Sequence, residues 1–142
     1  MIRAALTAAL AAASLAIAPG VASAATSATG EPEVDVRVVK SQVTLGPYGG
    51  AYVKVRIRCD APLDVYEVDP SIQQGTSYAV ETIPQGGFPV CDGRWHGQRI
   101  YLPLVAGPPL QHGPARVSVF VGVYNPITTT DQDVEIQVNV RL

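Results

Sequence analysis

The chain has 142 residues and a mass of 14.9 kDa, 47% hydrophobic and 15% charged, with 13 Gly, 12 Pro and two Cys. That size fits one domain and excludes a large two-domain enzyme. A formal charge of −2 lacks the basic footprint of a nucleic-acid binder, and the chain has neither the like-charge block nor the low apolar content of a disordered acidic tail.

The first predicted element is a leader. Arg3 supplies a positive start, Ala4 to Ala18 carries no charge, Pro19-Gly20 breaks the run, and Ala22-Ser23-Ala24 ends it with small residues. A positive start, a short apolar run and an A-x-A exit predict a secretory signal over residues 1–24, cleaved after Ala24. A membrane anchor needs roughly 20 apolar residues, which this run does not reach. No Cys adjoins the cleavage site, so a lipid anchor is not expected. The carboxyl end alternates instead of forming an apolar tail, so the expected product is secreted and extracellular, with no membrane anchor after cleavage. Removal of Arg3 with the leader sets the charge of residues 25–142 at −3. Residues 25–32 are small and polar and read as a flexible leader to a domain over 33–142.

From Val34 the pattern has period two. Val34, Val36 and Val38 alternate with Glu33, Asp35 and Arg37; Ala51, Val53, Val55, Ile57 and Cys59 alternate with Tyr52, Lys54, Arg56 and Arg58. Successive strand side chains point to opposite faces, so each run predicts a half-buried strand. Leu63 to Val68 predicts a strand stopped by Asp69-Pro70, with a continuation over Ser71 to Gln74 beyond a bulge. Ser77 to Ile83 and Gln98 to Val105 follow. Pro103 cannot donate to a ladder and predicts an edge or a bulge in the latter. Ala115, Val117, Val119, Val121 and Val123 share one face, with Arg116, Ser118, Phe120, Gly122 and Tyr124 on the other. Val134 to Leu142 alternates in the same way. Glycine and proline turns separate the runs, and no stretch has helical periodicity. About seven short strands predict an all-β, antiparallel immunoglobulin-like sandwich.

Cys59 and Cys91 are an even pair in a small exported domain, so one disulfide is predicted. The closed loop spans 33 residues, worth about 3.7 kcal/mol by chain entropy. A reactive thiol or a metal ligand is the competing reading, and the spacing of the pair matches no zinc motif.

The segment C-D-G-R-W-H (Cys91 to His96), the alternating strand after it, and the G-P-A turn (Gly113 to Ala115) before a Val-rich strand carry a resemblance. Over roughly residues 34–142 the chain resembles a group of small secreted proteins of high-G+C Gram-positive bacteria. The resemblance implies an immunoglobulin-like β-sandwich with the two Cys paired, and it brings no catalytic residues. In size the chain is also similar to antibiotic carrier proteins of the neocarzinostatin type, which have a second disulfide that this chain lacks.

Each candidate site also has a plainer role. A bridge brings Asp60 and Asp92 together, with Asp64 and His96 four positions beyond each. That set suggests a cation site or a carboxylate–imidazole pair. Calcium wants six to eight oxygens from a dense loop, so the favoured reading is plain: Asp92-Gly93 a turn, Asp60 bonded to its own backbone, His96 partly exposed. There is no G-x-S-x-G, and neither His96 nor His112 has a nucleophile at a telling spacing. No catalytic residues, metal or cofactor are therefore expected. Gly86-Gly87 lacks the strand and helix of a phosphate loop. Tyr52, Lys54, Arg56 and Arg58 form a basic stripe, and the last strand shows Asp133 and Glu135. Phe120 and Tyr124, with Gly122 between them, are the expected ligand-binding residues. Thr82 to Val90 runs into Cys91, as the reactive loop of a protease inhibitor does.

The reading is a secreted, non-catalytic binding module for an unknown extracellular protein or small ligand, with no nucleic-acid partner. Its alternatives are a protease inhibitor using residues 82–90 and a metal site or enzyme around Asp60, Asp92 and His96.

Overall fold

The computed structural model describes residues 31–142 except Pro89. The signal segment 1–24 and residues 25–30 of the leader lie outside the described residues. In chain order the strands are β1 (Val34–Val38), β2 (Thr44–Leu45), β3 (Ala51–Cys59), β4 (Asp64–Gln74), β5 (Ser77–Val80) and β6 (Ile83–Pro84), then β7 (Trp95–Leu102), β8 (Leu104–Ala106), β9 (Pro114–Asn125) and β10 (Thr130–Arg141). Two short 3-10 turns, Lys40–Gln42 and Pro47–Gly49, separate β1, β2 and β3.

All pairings are antiparallel. In the smaller sheet β3 is central, with β1 and β2 in succession on one edge and β7 on the other. The larger sheet runs β10-β9-β4-β5-β8, with β6 also on β4. The two antiparallel sheets make an all-β sandwich. Its cause is the alternation itself. Val53, Val55, Val117, Val119, Val121 and Val123 are fully buried between the sheets, joined by Leu63, Ile72 and Leu102. At the larger sheet's edge, β10 is covered mainly by β1. Val134, Ile136 and Val138 are accordingly only half-buried, and Val140 alone on that strand is buried.

Of two prolines in the strand runs, the structure overturns the expectation at one and agrees with it at the other. Asp69-Pro70 does not stop β4; Pro70 is fully buried within it. The Pro70 carbonyl accepts the Glu81 N–H at 3.2 Å, beyond the end of β5. A strand residue points its N and O to the same edge, so the missing N–H faces the junction between β5 and β6, where no ladder bond is lost. The bulge of β4 lies at Tyr66, between Val65 and Glu67, not after Pro70. Pro103 lies on an edge as expected, and there the chain leaves the smaller sheet at Leu102 and enters the larger one at Leu104. The expected strand Ser77 to Ile83 is correspondingly split into β5 and β6.

Cys59 and Cys91 form the disulfide, with Cα atoms 4.7 Å apart. In antibody domains the bridge crosses between sheets. Here it joins the end of β3 to the segment entering β7, its neighbour in the same sheet, and the Gly93 N–H donates to the Cys59 carbonyl at 2.9 Å. In the larger sheet, the buried Asn125 side chain closes the β9–β10 turn by accepting the N–H groups of Ile127 and Thr128 at 3.0 and 3.3 Å.

Candidate ligand-binding faces

Beside the bridge the predicted residues separate. Asp92 Oδ1 accepts from His96 Nε2 at 2.8 Å and from the Arg94 N–H at 2.9 Å, so the carboxylate–imidazole pair and the Asx turn both form on one side chain. Asp60 does not bond to its own local backbone; its Oδ2 accepts the Glu33 N–H at 3.2 Å, pinning the start of the domain. Asp64 opens β4 and lies opposite Tyr124. Among the described residues no three His, Cys, Asp or Glu side chains are grouped to hold a metal.

The His96 bond, then the Arg94 amide, hold the Asp92 carboxyl below its ordinary value near 3.8. A depressed carboxyl contributes stability above its ordinary value and loses it as pH falls through the lowered one. Asp92→Asn is therefore expected to lower stability only slightly at pH 7, as the loss of a solvent-screened pair does. The difference from the unmodified protein should vanish in strong acid, as read by urea unfolding at both pH values.

In the 82–90 segment, Ile83 and Pro84 pair with β4, and the Gly87 N–H donates to the Pro84 carbonyl at 3.0 Å in a tight turn. Ile83 and Phe88 pack against the core, leaving Pro84 to Gly87 as an exposed tip.

The outward face of the larger sheet is more organised than its sequence suggests. Phe120 and Tyr124 both point outward from β9, half-buried, and Gly122 between them is covered by the chain's own Tyr66. The bulge turns Tyr66 onto β9, where its Cζ lies 2.5 Å from the position a Gly122 Cβ would take. The Tyr66 hydroxyl reaches across to donate to Asp133 Oδ1 at 3.2 Å on β10. Phe120, Tyr66 over Gly122, and Tyr124 thus follow one another along the outward face of β9 as an aromatic column.

Register places a carboxylate on each side of every step. Asp64, Tyr124 and Asp131 form one row; Glu67, Gly122 and Asp133 the next; Asp69, Phe120 and Glu135 the third. None of these six acids takes part in an ion pair among the described residues, and Asp69 Oδ1 is buried without a hydrogen-bond partner. Beside Tyr66 and Tyr124, with Asp64, Gln85 and Asp131, the surface sinks into an open depression of about 490 Å³. Partial burial, the bond to Asp133, and the charges of Asp133, Asp131 and Glu67 all raise the Tyr66 phenol above its ordinary value of 10.0. Asp133→Asn is expected to bring that ionisation down toward the ordinary value, as followed by NMR of ring-labelled tyrosine at alkaline pH.

The smaller sheet's outward face is its electrostatic opposite. Its rows are Asp35, Arg58 and Trp95; then Arg37, Arg56 and Gly97; then Lys54 and Arg99; then Thr44, Tyr52 and Tyr101. Arg58 pairs with Asp35. The other two charged rows oppose like charges directly, Arg37 to Arg56 and Lys54 to Arg99, an arrangement that destabilises a sheet. Aromatic rings absorb part of that repulsion. The guanidinium carbons of Arg37, Arg56 and Arg58 lie 4.4, 5.4 and 5.6 Å from the centre of Trp95, and that of Arg99 lies 4.2 Å from Tyr52.

The disulfide belongs to an oxidising compartment, and among the described residues no helix is long and apolar enough to cross a membrane. No protein-family model matches the chain, and no curated protein matches it. The fold and its two charged faces define the class: a disulfide-bonded all-β sandwich.

Proposed function

We propose that the chain is an exported, non-catalytic binding module that holds a cationic partner against the Phe120–Tyr66–Tyr124 column. The observation that carries this reading is the column itself, flanked on both sides by carboxylates that have no ion-pair partner among the described residues. Aromatic faces attract cations by their quadrupoles, and carboxylates beside them add direct Coulomb attraction. The orphaned Asp69 oxygen calls for a donor. A signal leader, a disulfide and the resemblance to small secreted sandwiches all accord with an extracellular module.

The test is calorimetric titration with an oligolysine peptide. Phe120→Ser and Tyr124→Ser keep the charge of the face while removing rings. Each is expected to weaken the peptide at least about tenfold, roughly the loss of one desolvated cation–π contact with its buried area. Melting temperature should change little, because neither ring packs into the core. Binding that survives both substitutions would reduce the face to unspecific charge and defeat the reading. A collapse in stability with Phe120→Ser would make that ring structural instead.

A further inference from the structure

We propose that the chain associates with itself head to tail, the basic face of one copy seated on the aromatic–carboxylate face of the next. This rests on the reading of that face as a cation receptor and names its occupant.

Both halves of the contact are present in one molecule. Five cations (Arg37, Lys54, Arg56, Arg58 and Arg99) and the single carboxylate of Asp35 occupy the outward face of the smaller sheet. They do so in a chain whose net charge is −2. Six carboxylates occupy three rows of the other outward face, and its cations, Arg116 and Arg141, lie in rows beyond Phe120. The acidic patch is three strands wide and three rows deep; the basic patch has the same depth and the same width except in the Lys54–Arg99 row, which spans two strands. On a sheet lattice of about 4.8 Å between strands and about 6.8 Å between same-face residues, the two patches are therefore close in size. Docking in register opposes Arg37 and Arg99, on the outer strands, to carboxylates and sets Lys54 and Arg56, on β3, over the aromatic residues between them, which relieves two like-charge cross-strand pairs in a single step. The arginines also meet Phe120, Tyr66 and Tyr124, which offer them further ring faces.

The two faces point away from each other across the sandwich. The association is consequently heterologous and does not close into a two-fold dimer, so it extends into open chains of copies. Patches of this size stay below the roughly 1,200 Å² at which standard stable interfaces begin, so the contact is weak and reversible.

Sedimentation equilibrium of the full chain near millimolar concentration provides the test. Species larger than a monomer are expected at about 20 mM salt, with the dissociation constant rising at least about tenfold at 500 mM, where the Debye length is only a few ångströms. The basic-face variant Lys54→Gln/Arg56→Gln and the acidic-face variant Asp131→Asn/Glu135→Gln should each remain monomeric alone. Mixed one to one, each supplies the face the other lacks, and the mixture should stop at a heterodimer. A monomeric unmodified chain at low salt, or association that survives either variant, overturns the proposal. Oligolysine binding separates this failure from that of the parent reading. Peptide that binds the unmodified chain and not the acidic-face variant keeps the receptor face while removing self-association; loss of both removes both. Polyphosphate binding to the basic face of a chain that stays monomeric would assign that face to an external polyanion, and also overturns the proposal.

Discussion

Replacing Cys59 and Cys91 together with alanine is expected to lower stability by about 3–4 kcal/mol, the largest single loss available without touching the valine core. The bridge closes a 33-residue loop containing β4, β5 and β6, so three strands of the larger sheet lie between two points fixed in the smaller one. Without the link, the unfolded chain regains the entropy of that loop. A domain of this size should lose about 15 °C of melting temperature. The folded state should also loosen at a defined place. Arg58 pairs with Trp95 at the bridged end, whereas Ala51 pairs with Leu102 at the far end, where both residues are fully buried. Amides of Ile57 to Cys59 and Trp95 to Gly97 should therefore exchange before those of Val53 and Ile100. Denaturant titration should show a steeper slope as well, because the uncrosslinked unfolded chain exposes more surface. A loss below about 1 kcal/mol would mean that the register of β3 with β7 already constrains the loop.

Much of this architecture is legible in the residues, and the boundary of legibility is physical. Strict alternation in Ala51–Cys59 and Ala115–Val123 reports a face buried against another sheet, and those are the strands whose valines are fully enclosed. Pairing of Cys59 with Cys91 follows from parity and compartment. The path through Pro70 is not readable, because the cost of a proline depends on which edge its nitrogen faces, and only the neighbouring strands decide that. The bulge did leave a trace: Leu63 and Val65 point inward from odd positions, while Val68, Pro70 and Ile72 point inward from even ones. A change of parity within one strand requires an extra residue, and Tyr66-Glu67 is where it falls. The faces needed register. Lys54, Arg56 and Arg58 are visible as a stripe on β3, but Arg37, Arg99 and Trp95 join them only through pairing. In the same way Asp133 and Glu135 stand alone in the sequence until β4 brings Asp64, Glu67 and Asp69 to the other side of the aromatic column.

Gly122→Ala tests that column directly, with an expected loss of about 1–3 kcal/mol, the usual cost of forcing atoms into an occupied space. The backbone itself would accept alanine, since Gly122 is extended within β9 and is not among the positive-φ glycines. Alanine in place of glycine ordinarily adds about 0.4–1 kcal/mol by restricting the unfolded chain. The obstacle is the Tyr66 ring, whose Cζ, Cε2 and hydroxyl lie 2.5, 2.6 and 2.7 Å from the new methyl position. To admit it, the ring must lift from β9 and release Asp133, which undoes the partial burial and the hydrogen bond that raise the phenol. Three readouts should then move together: stability falls, the Tyr66 ionisation drops toward its ordinary value, and oligolysine binding weakens as the column loses its middle member. A double-mutant cycle isolates the cause. In a Tyr66→Ala background the same Gly122→Ala change has no ring to displace, so it should become neutral or slightly stabilising. A penalty that persists unchanged there would place the glycine requirement in the backbone of β9 and leave the column without its structural basis.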